Sequence, residues 1–146
     1  MFAAGSGGED VWGVDRDGAV NTIETAEEEG ADRFVMLSSI NADSPGESPE
    51  ALREYLNAKA EADERLRESD LTYTIVRPGS LTNEAGTGRV RTGADLDRDD
   101  SEIPREDVAE TLVTALPMES THERTFEVLA GDEPIPAALE NPLNEE

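Results

Sequence analysis

Arg33-Phe34-Val35-Met36-Leu37-Ser38-Ser39 is a short apolar run that ends in two hydroxyls. Its apolar residues are consecutive rather than alternating, the pattern of a strand covered on both faces. A polar loop, Asn41 to Ser48, follows. Ser48-Pro49 then opens the longest helix, with serine at the N-cap and proline at the first helical position. That helix is expected to run to about Ser69. Leu52, Tyr55, Lys59, Ala62 and Leu66 fall on one face, and the opposite face is full of Glu, Asp and Arg. Thr72-Tyr73-Thr74-Ile75-Val76 is β-branched and aromatic, hence a strand. It is expected to stop at Arg77-Pro78-Gly79, because proline lacks a ladder donor. Strand, helix and strand of these lengths form a βαβ unit.

Working outward, Phe2-Ala3-Ala4 reads as a truncated first strand ending at Gly5, Gly7 and Gly8. A helix is expected from Asp15 to Glu29, with Ala19, Ile23 and Ala26 inward and Gly30 just past its end. Downstream, Arg89-Val90-Arg91 reads as a short strand. A helix starts at Pro104 or Arg105 and runs to about Leu116, with Val108, Ala109, Leu112 and Val113 inward. Thr125-Phe126-Glu127-Val128-Leu129 is a further strand, and the tail after Gly131 reads as irregular. This alternation indicates an α/β fold, a parallel sheet with crossover helices. No repeat or linker divides the chain, so residues 1–146 are read as one domain.

Twelve basic residues stand against 35 acidic ones, a formal charge of −23. That balance argues against nucleic acid and anionic membranes as partners, since both attract basic patches. With 36% hydrophobic residues in clear runs, the acidity reads as a hydrated surface rather than disorder. A high-salt cytoplasm would screen the self-repulsion, and the near-absence of lysine fits that halophilic reading. There is no cysteine, hence no disulfide framework or thiolate metal site. The apolar runs are too short to span a bilayer, and Met1 to Gly8 has no signal-peptide pattern. A cytoplasmic location is the expectation.

The only lysine, Lys59, stands four residues after Tyr55, one of two tyrosines. On a helix the two side chains share a face. A cation beside a phenol favours the phenolate and lowers its pKa, making it a usable proton donor or acceptor. The competing reading is an incidental pair on an amphipathic helix. Asp95, Asp97, Asp99 and Glu106 have calcium-loop spacing, but Asp100 stands where the sharp turn needs glycine, so a solvated acidic loop is the reading. His122 has no partner histidine or cysteine, and no metal site is expected. Trp12 reads as a packing residue or interface anchor.

In this order the motifs resemble the short-chain dehydrogenase/reductase superfamily, and in it the atypical NmrA-like and biliverdin-reductase-B-like NAD(P)-binding branch. The resemblance runs from Phe2 to about Ile135. Phe2-Ala3-Ala4-Gly5 resembles the Ala-Gly turn after that family's fourth strand, which lies along the cofactor. Arg33 to Ser39 resembles the fifth strand, which ends in the catalytic serine, and Tyr55 to Lys59 the active-site helix. Tyr73-Thr74-Ile75-Val76-Arg77-Pro78-Gly79 resembles the sixth strand and the Pro-Gly turn near the nicotinamide. Ile103 to Ala109 resembles a late helix start.

The resemblance implies a partial Rossmann-like parallel sheet beginning at the fourth strand of the family fold. It implies NAD or NADP as cofactor, NADP being preferred. Tyr55 would exchange a proton with the substrate oxygen. Lys59 would lower the Tyr55 pKa and bond the nicotinamide ribose, and Ser39 rather than Ser38 would hold the substrate oxygen. Ala4, Gly5, Ser38, Lys59, Pro78 and Gly79 would line the cofactor. Ser38 and Ser39 equally suit capping of a buried strand end, and Pro78-Gly79 suits an ordinary strand-terminating turn.

Two departures stand out. The strand and glycine-rich turn that cradle a pyrophosphate are missing: in Gly5-Ser6-Gly7-Gly8-Glu9-Asp10 the third glycine position holds Asp10, which would repel phosphate. A shortened product is the favoured explanation; a half-fold that dimerises through an open strand edge into a homo-oligomer is the other. Asp15 stands where many relatives carry a structural asparagine and cannot donate as an amide does. Asn21 matches another recurrent asparagine on that helix. The implied function is hydride transfer to a small carbonyl substrate. The alternative is a non-catalytic dinucleotide-binding sensor or interaction protein, or an inactive fragment.

Overall fold

The computed structural model describes residues 1–5, 9–43, 50–97 and 100–143. The chain forms a π-helical segment Val11–Gly18 that continues into α1 (Ala19–Glu28), then β1 (Arg33–Leu37), α2 (Glu50–Arg67) and β2 (Thr72–Pro78). Next come β3 (Ser80–Thr82), β4 (Arg89–Gly93), β5 (Glu102–Pro104) and α3 (Arg105–Ala115). A 3₁₀ turn at Glu119–Thr121 leads to β6 (Arg124–Ala130), β7 (Glu133–Pro134) and α4 (Ile135–Glu140).

Both faces of β1 are covered, which is why its sequence is continuously apolar. Phe34 and Met36 pack with Ala19, Ile23, Ala62 and Leu66, from α1 and α2. Val35 points the other way and packs with Val108 and Leu112 of α3 and with Ala138 and Leu139 of α4. The result is a sheet between two helix layers. Strand order is β1-β2-β6-β4-β7; β1, β2 and β6 are parallel, and β4 runs antiparallel to both β6 and β7. β3 and β5 pair in a separate two-stranded sheet. Among the described residues no helix is long and apolar enough to cross a membrane.

The βαβ unit, the strand at Arg89 and the Thr125 strand lie where the sequence placed them, and Gly30 has the positive φ of +75° expected after a helix. Several boundaries differ. Phe2 makes a one-residue parallel bridge to Met36, its N–H donating to Val35 and its carbonyl accepting from Leu37, rather than a strand. The first helix starts at Val11, not Asp15, because the Asp10 carboxylate caps it by accepting from the Gly13 N–H at 3.0 Å. Its first eight residues are π-wound and turn Val11 and Asp15 inward. The expected cap at Ser48-Pro49 lies outside the described residues, as do Gly7, Gly8 and Asp99.

Leu52 is 51% exposed, since the first turn of α2 lies beyond the core. β2 continues through Pro78, whose carbonyl still accepts a bond, from the Ile40 N–H at 3.0 Å. On α3, Ala109 and Val113 face outward, and Asp107 and Thr111 take inward places. Those polar groups are satisfied: Asp107 accepts from the Thr87 and Gly88 N–H groups, and the Thr111 hydroxyl donates to the Asp107 carbonyl. The tail is ordered into β7 and α4, with Ile135, Ala138 and Leu139 buried; Pro136 fits the first turn of α4, where an N–H is unneeded.

Candidate active site

β1 and β2 end side by side, with the Ser38 N–H donating to the Val76 carbonyl at 2.7 Å. Beyond their carboxyl ends opens a cleft of about 630 Å³, the usual place for a ligand in an open α/β sheet. Ser38 and Ser39 line it from the end of β1, and Pro78 and Gly79 from the end of β2. Tyr55 and Lys59 line it from α2, and Ala4 and Gly5 from the segment after Phe2. Every residue that the sequence singled out for substrate or cofactor thus reaches one cleft. Gly79 is required there, because a Cβ would collide with the Ser101 carbonyl.

Lys59 is 3% exposed, and its Nζ donates to the Leu37 carbonyl at 3.0 Å. The ammonium lies 5.9 Å from the centroids of both the Tyr55 and Phe2 rings. Burial lowers the Lys59 pKa, opposed by Asp15 and Asp63. The expectation that Lys59 lowers the Tyr55 pKa is overturned. Burial first, then the charges of Asp15 and Asp63, push the Tyr55 phenol up to about 12. The ammonium gives one of its three donors to a backbone carbonyl, while burial and two carboxylates disfavour the phenolate.

Ser38 is buried, and its hydroxyl donates to Asp63 Oδ2 at 2.5 Å. Asp63 is itself fully buried and also accepts from the Arg77 guanidinium at 3.2 Å. Burial raises the Asp63 pKa, opposed by the bond from Ser38 and by Arg77. Asp63 escaped the sequence reading, which assigned the acids of α2 to the solvent face. The signal was its spacing: Tyr55, Lys59 and Asp63 recur every four residues. The Ser39 side chain is half-buried, and its hydroxyl donates to the Ile40 carbonyl at 3.2 Å.

Asp15, 1% exposed, lines the cleft beside Gly5. Trp12 ties the π-helical segment to α2, its Nε1 donating to Glu54 at 2.6 Å with the Arg16 guanidinium 4.8 Å above its ring. Leu52, Leu81 and Arg105 also line the cleft and were not foreseen as site residues. Glu106, part of the calcium-like spacing, accepts from the Gly86 N–H. Small Ala4 and Gly5 on one wall, with a buried ammonium and two serines below, could hold the nicotinamide-ribose end of a dinucleotide.

A family model described as NAD(P)H-binding matches residues 1–119. A Bacillus subtilis protein named uncharacterized sugar epimerase YhfK is 45% identical over 143 residues, 95% of this chain and 66% of that protein. The structure of a Bacillus halodurans protein provisionally named an NAD-dependent epimerase/dehydratase superposes with a TM-score of 0.91 at 41% identity, over 95% of this chain and 67% of its own. That of the Lactococcus lactis oxidoreductase ylbE superposes with a TM-score of 0.86 at 31% identity, over 94% and 64%. The chain therefore spans about two thirds of the length of these relatives. By sequence match and by fold, it belongs to the NAD(P)H-binding family, among the Rossmann folds of the short-chain dehydrogenase/reductase and epimerase kind.

Proposed function

We propose that the cleft serves hydride exchange between NAD(P) and a small carbonyl compound or alcohol, with residues 1–146 acting as one domain. The observation that carries this reading is the convergence of Ser39, Tyr55 and Lys59 with the Ala4-Gly5 and Pro78-Gly79 turns on one cleft. A bound nicotinamide would supply the hydride chemistry. Tyr55 gives its proton to the substrate oxygen. An alkoxide is a stronger base than a phenolate, so a phenol raised to about 12 still transfers its proton downhill in the reducing direction. The Ser39 hydroxyl turns from the Ile40 carbonyl to hold the same oxygen. Lys59 keeps a positive charge beside the phenol and would bond the ribose hydroxyls of a bound dinucleotide, while Ser38, fastened to Asp63, fixes the strand end.

The test is fluorescence titration of the protein with NADPH and NADH, followed by carbonyl-dependent oxidation of the bound dinucleotide. The expected result is binding, NADPH being the tighter, with turnover reduced about 10²-fold or more in Tyr55→Phe. Binding without Tyr55-dependent turnover would identify a dinucleotide sensor instead. Absence of any dinucleotide binding would reject the reading.

The Bacillus subtilis relative's name favours a second reading, a sugar epimerase. The same phenol could take a proton from a sugar hydroxyl and later return it. Stoichiometric consumption of NADPH distinguishes a reductase from an epimerase, which regenerates its cofactor.

A further inference from the structure

We propose that Arg105 is an anion-recognition residue at the mouth of the cleft, taking a carboxylate or phosphate carried by the substrate or by the dinucleotide. The proposal rests on reading the cleft as the dinucleotide and carbonyl site. Arg105 is exposed, opens α3 directly after β5, and lines the cleft together with Leu81 of the adjoining β3. Its Nε donates to the side-chain carbonyl of Asn83 at 2.9 Å. An amide partner orients the guanidinium without neutralising it. Among the described residues Arg105 forms no ion pair, and Nη1 and Nη2 make no hydrogen bond.

Arg33, Arg89 and Arg124 also form no ion pair among the described residues, so what sets Arg105 apart in a chain with 35 carboxylates is its place at the cleft mouth. Arg16, Arg65, Arg67 and Arg77 all pair with acids. The acids next to Arg105 in sequence are occupied elsewhere: Glu106 and Asp107 accept backbone N–H groups of the loop at Gly86, Thr87 and Gly88. Glu54, the carboxylate at the same mouth, is held by Trp12. A guanidinium fork with both terminal nitrogens open suits bidentate capture of a carboxylate or phosphate. The repulsion of a −23 chain is screened beyond about 10 Å in 0.1 M salt, so the local fork governs contact. Leu52 and Leu81, 51% and 36% exposed at this mouth, offer an apolar flank. If the anion comes from the substrate, its class is an apolar carbonyl compound bearing one acidic group.

Calorimetric titration of the wild-type chain and Arg105→Gln with 4-carboxybenzaldehyde, its methyl ester, NADPH and NADH tests this. Asn83→Ala, which leaves the charge but frees the fork, is the second variant. The expected result is at least about tenfold weaker binding of an anionic ligand to Arg105→Gln, a smaller loss of the same ligand with Asn83→Ala, and unchanged affinity for the ester. Loss confined to the aldehyde acid assigns the site to substrate; loss confined to the dinucleotides assigns it to cofactor; both outcomes support it. Less than twofold change for every anion overturns it, as does an equal loss of acid and ester. A wild type that fails to bind NADPH but holds the acid through Arg105 rejects the dinucleotide reading and keeps the anion site. A wild type that binds none of the four rejects both.

Discussion

The Ser38 hydroxyl donates to the Asp63 carboxylate at 2.5 Å, with neither side chain open to solvent. The bond fastens the end of β1 to α2 one turn beyond Lys59. Arg77 of β2 reaches the same carboxylate oxygen, so three elements meet on one buried acid beneath the cleft.

Removing that acid leaves the Arg77 cation buried, its one remaining ion-pair partner among the described residues being the exposed Asp43 carboxylate at 3.8 Å. Asp63→Ala is therefore expected to destabilise the protein by about 3–5 kcal/mol, the usual cost of stranding one partner of a buried pair. Asp63→Asn, which keeps an acceptor for Ser38, costs less. Urea unfolding measures both. A loss below about 1 kcal/mol for Asp63→Ala would mean that the pair is solvated in solution.

Asp63 also sets a pH dependence. Burial, ahead of its bonds to Ser38 and Arg77, raises its folded pKa above the unfolded value. A raised folded pKa contributes stability that is fully present below the unfolded pKa, about 3.9, and is lost as pH rises through the folded one. Stability profiles of wild type and Asp63→Asn should accordingly diverge on the way up from about pH 4. Parallel profiles would show that the acid titrates normally.

The Tyr55 phenol should ionise at about 12, raised by burial first and then by Asp15 and Asp63. Its contribution to stability is present below the ordinary tyrosine value, about 10, and is lost as pH rises through the folded value. Phenolate absorbance of wild type minus that of Tyr55→Phe isolates this group from Tyr73. Asp15→Asn should move the transition down, by less than the whole shift because burial is the larger cause. A Tyr55 transition at or below the ordinary value would restore the expectation that Lys59 governs the phenol.

Core positions on two helices separate packing from pattern. Leu66, fully buried against Ile23 and Ile75, should cost about 2–5 kcal/mol as Leu66→Ala. Val113, which periodicity placed inward but which is 65% exposed, should change stability by no more than about 0.5 kcal/mol as Val113→Ala. Thermal or urea unfolding reads both, and a large loss at Val113 would imply a partner surface on α3.

Much of the fold was legible because β1 and β2 carry uninterrupted apolar runs and α2 carries a clear helical period. Errors fell where polar residues point inward. The acids of α2, Asp63 among them, were assigned to the solvent face and Asp107 was given no inward place, since a one-dimensional pattern cannot anticipate that Ser38, Arg77 or the N–H groups of Thr87 and Gly88 will satisfy them. The tail was read as irregular because its prolines suggested a breaker, whereas Pro136 sits in a first helical turn, where a missing N–H costs nothing.

Residue type and spacing alone determined that Tyr55 and Lys59 share a helix face and that Ser38 and Ser39 close a doubly covered strand. Only the packed chain decided what those groups experience. The π-helical segment carries Asp15 to the cleft wall, α2 turns Asp63 under the floor, and burial makes both charges count far more than they would in water. A phenol's acidity depends on which charges lie near it and how much water is excluded. Those are properties of distance in the folded molecule, not of order along the chain.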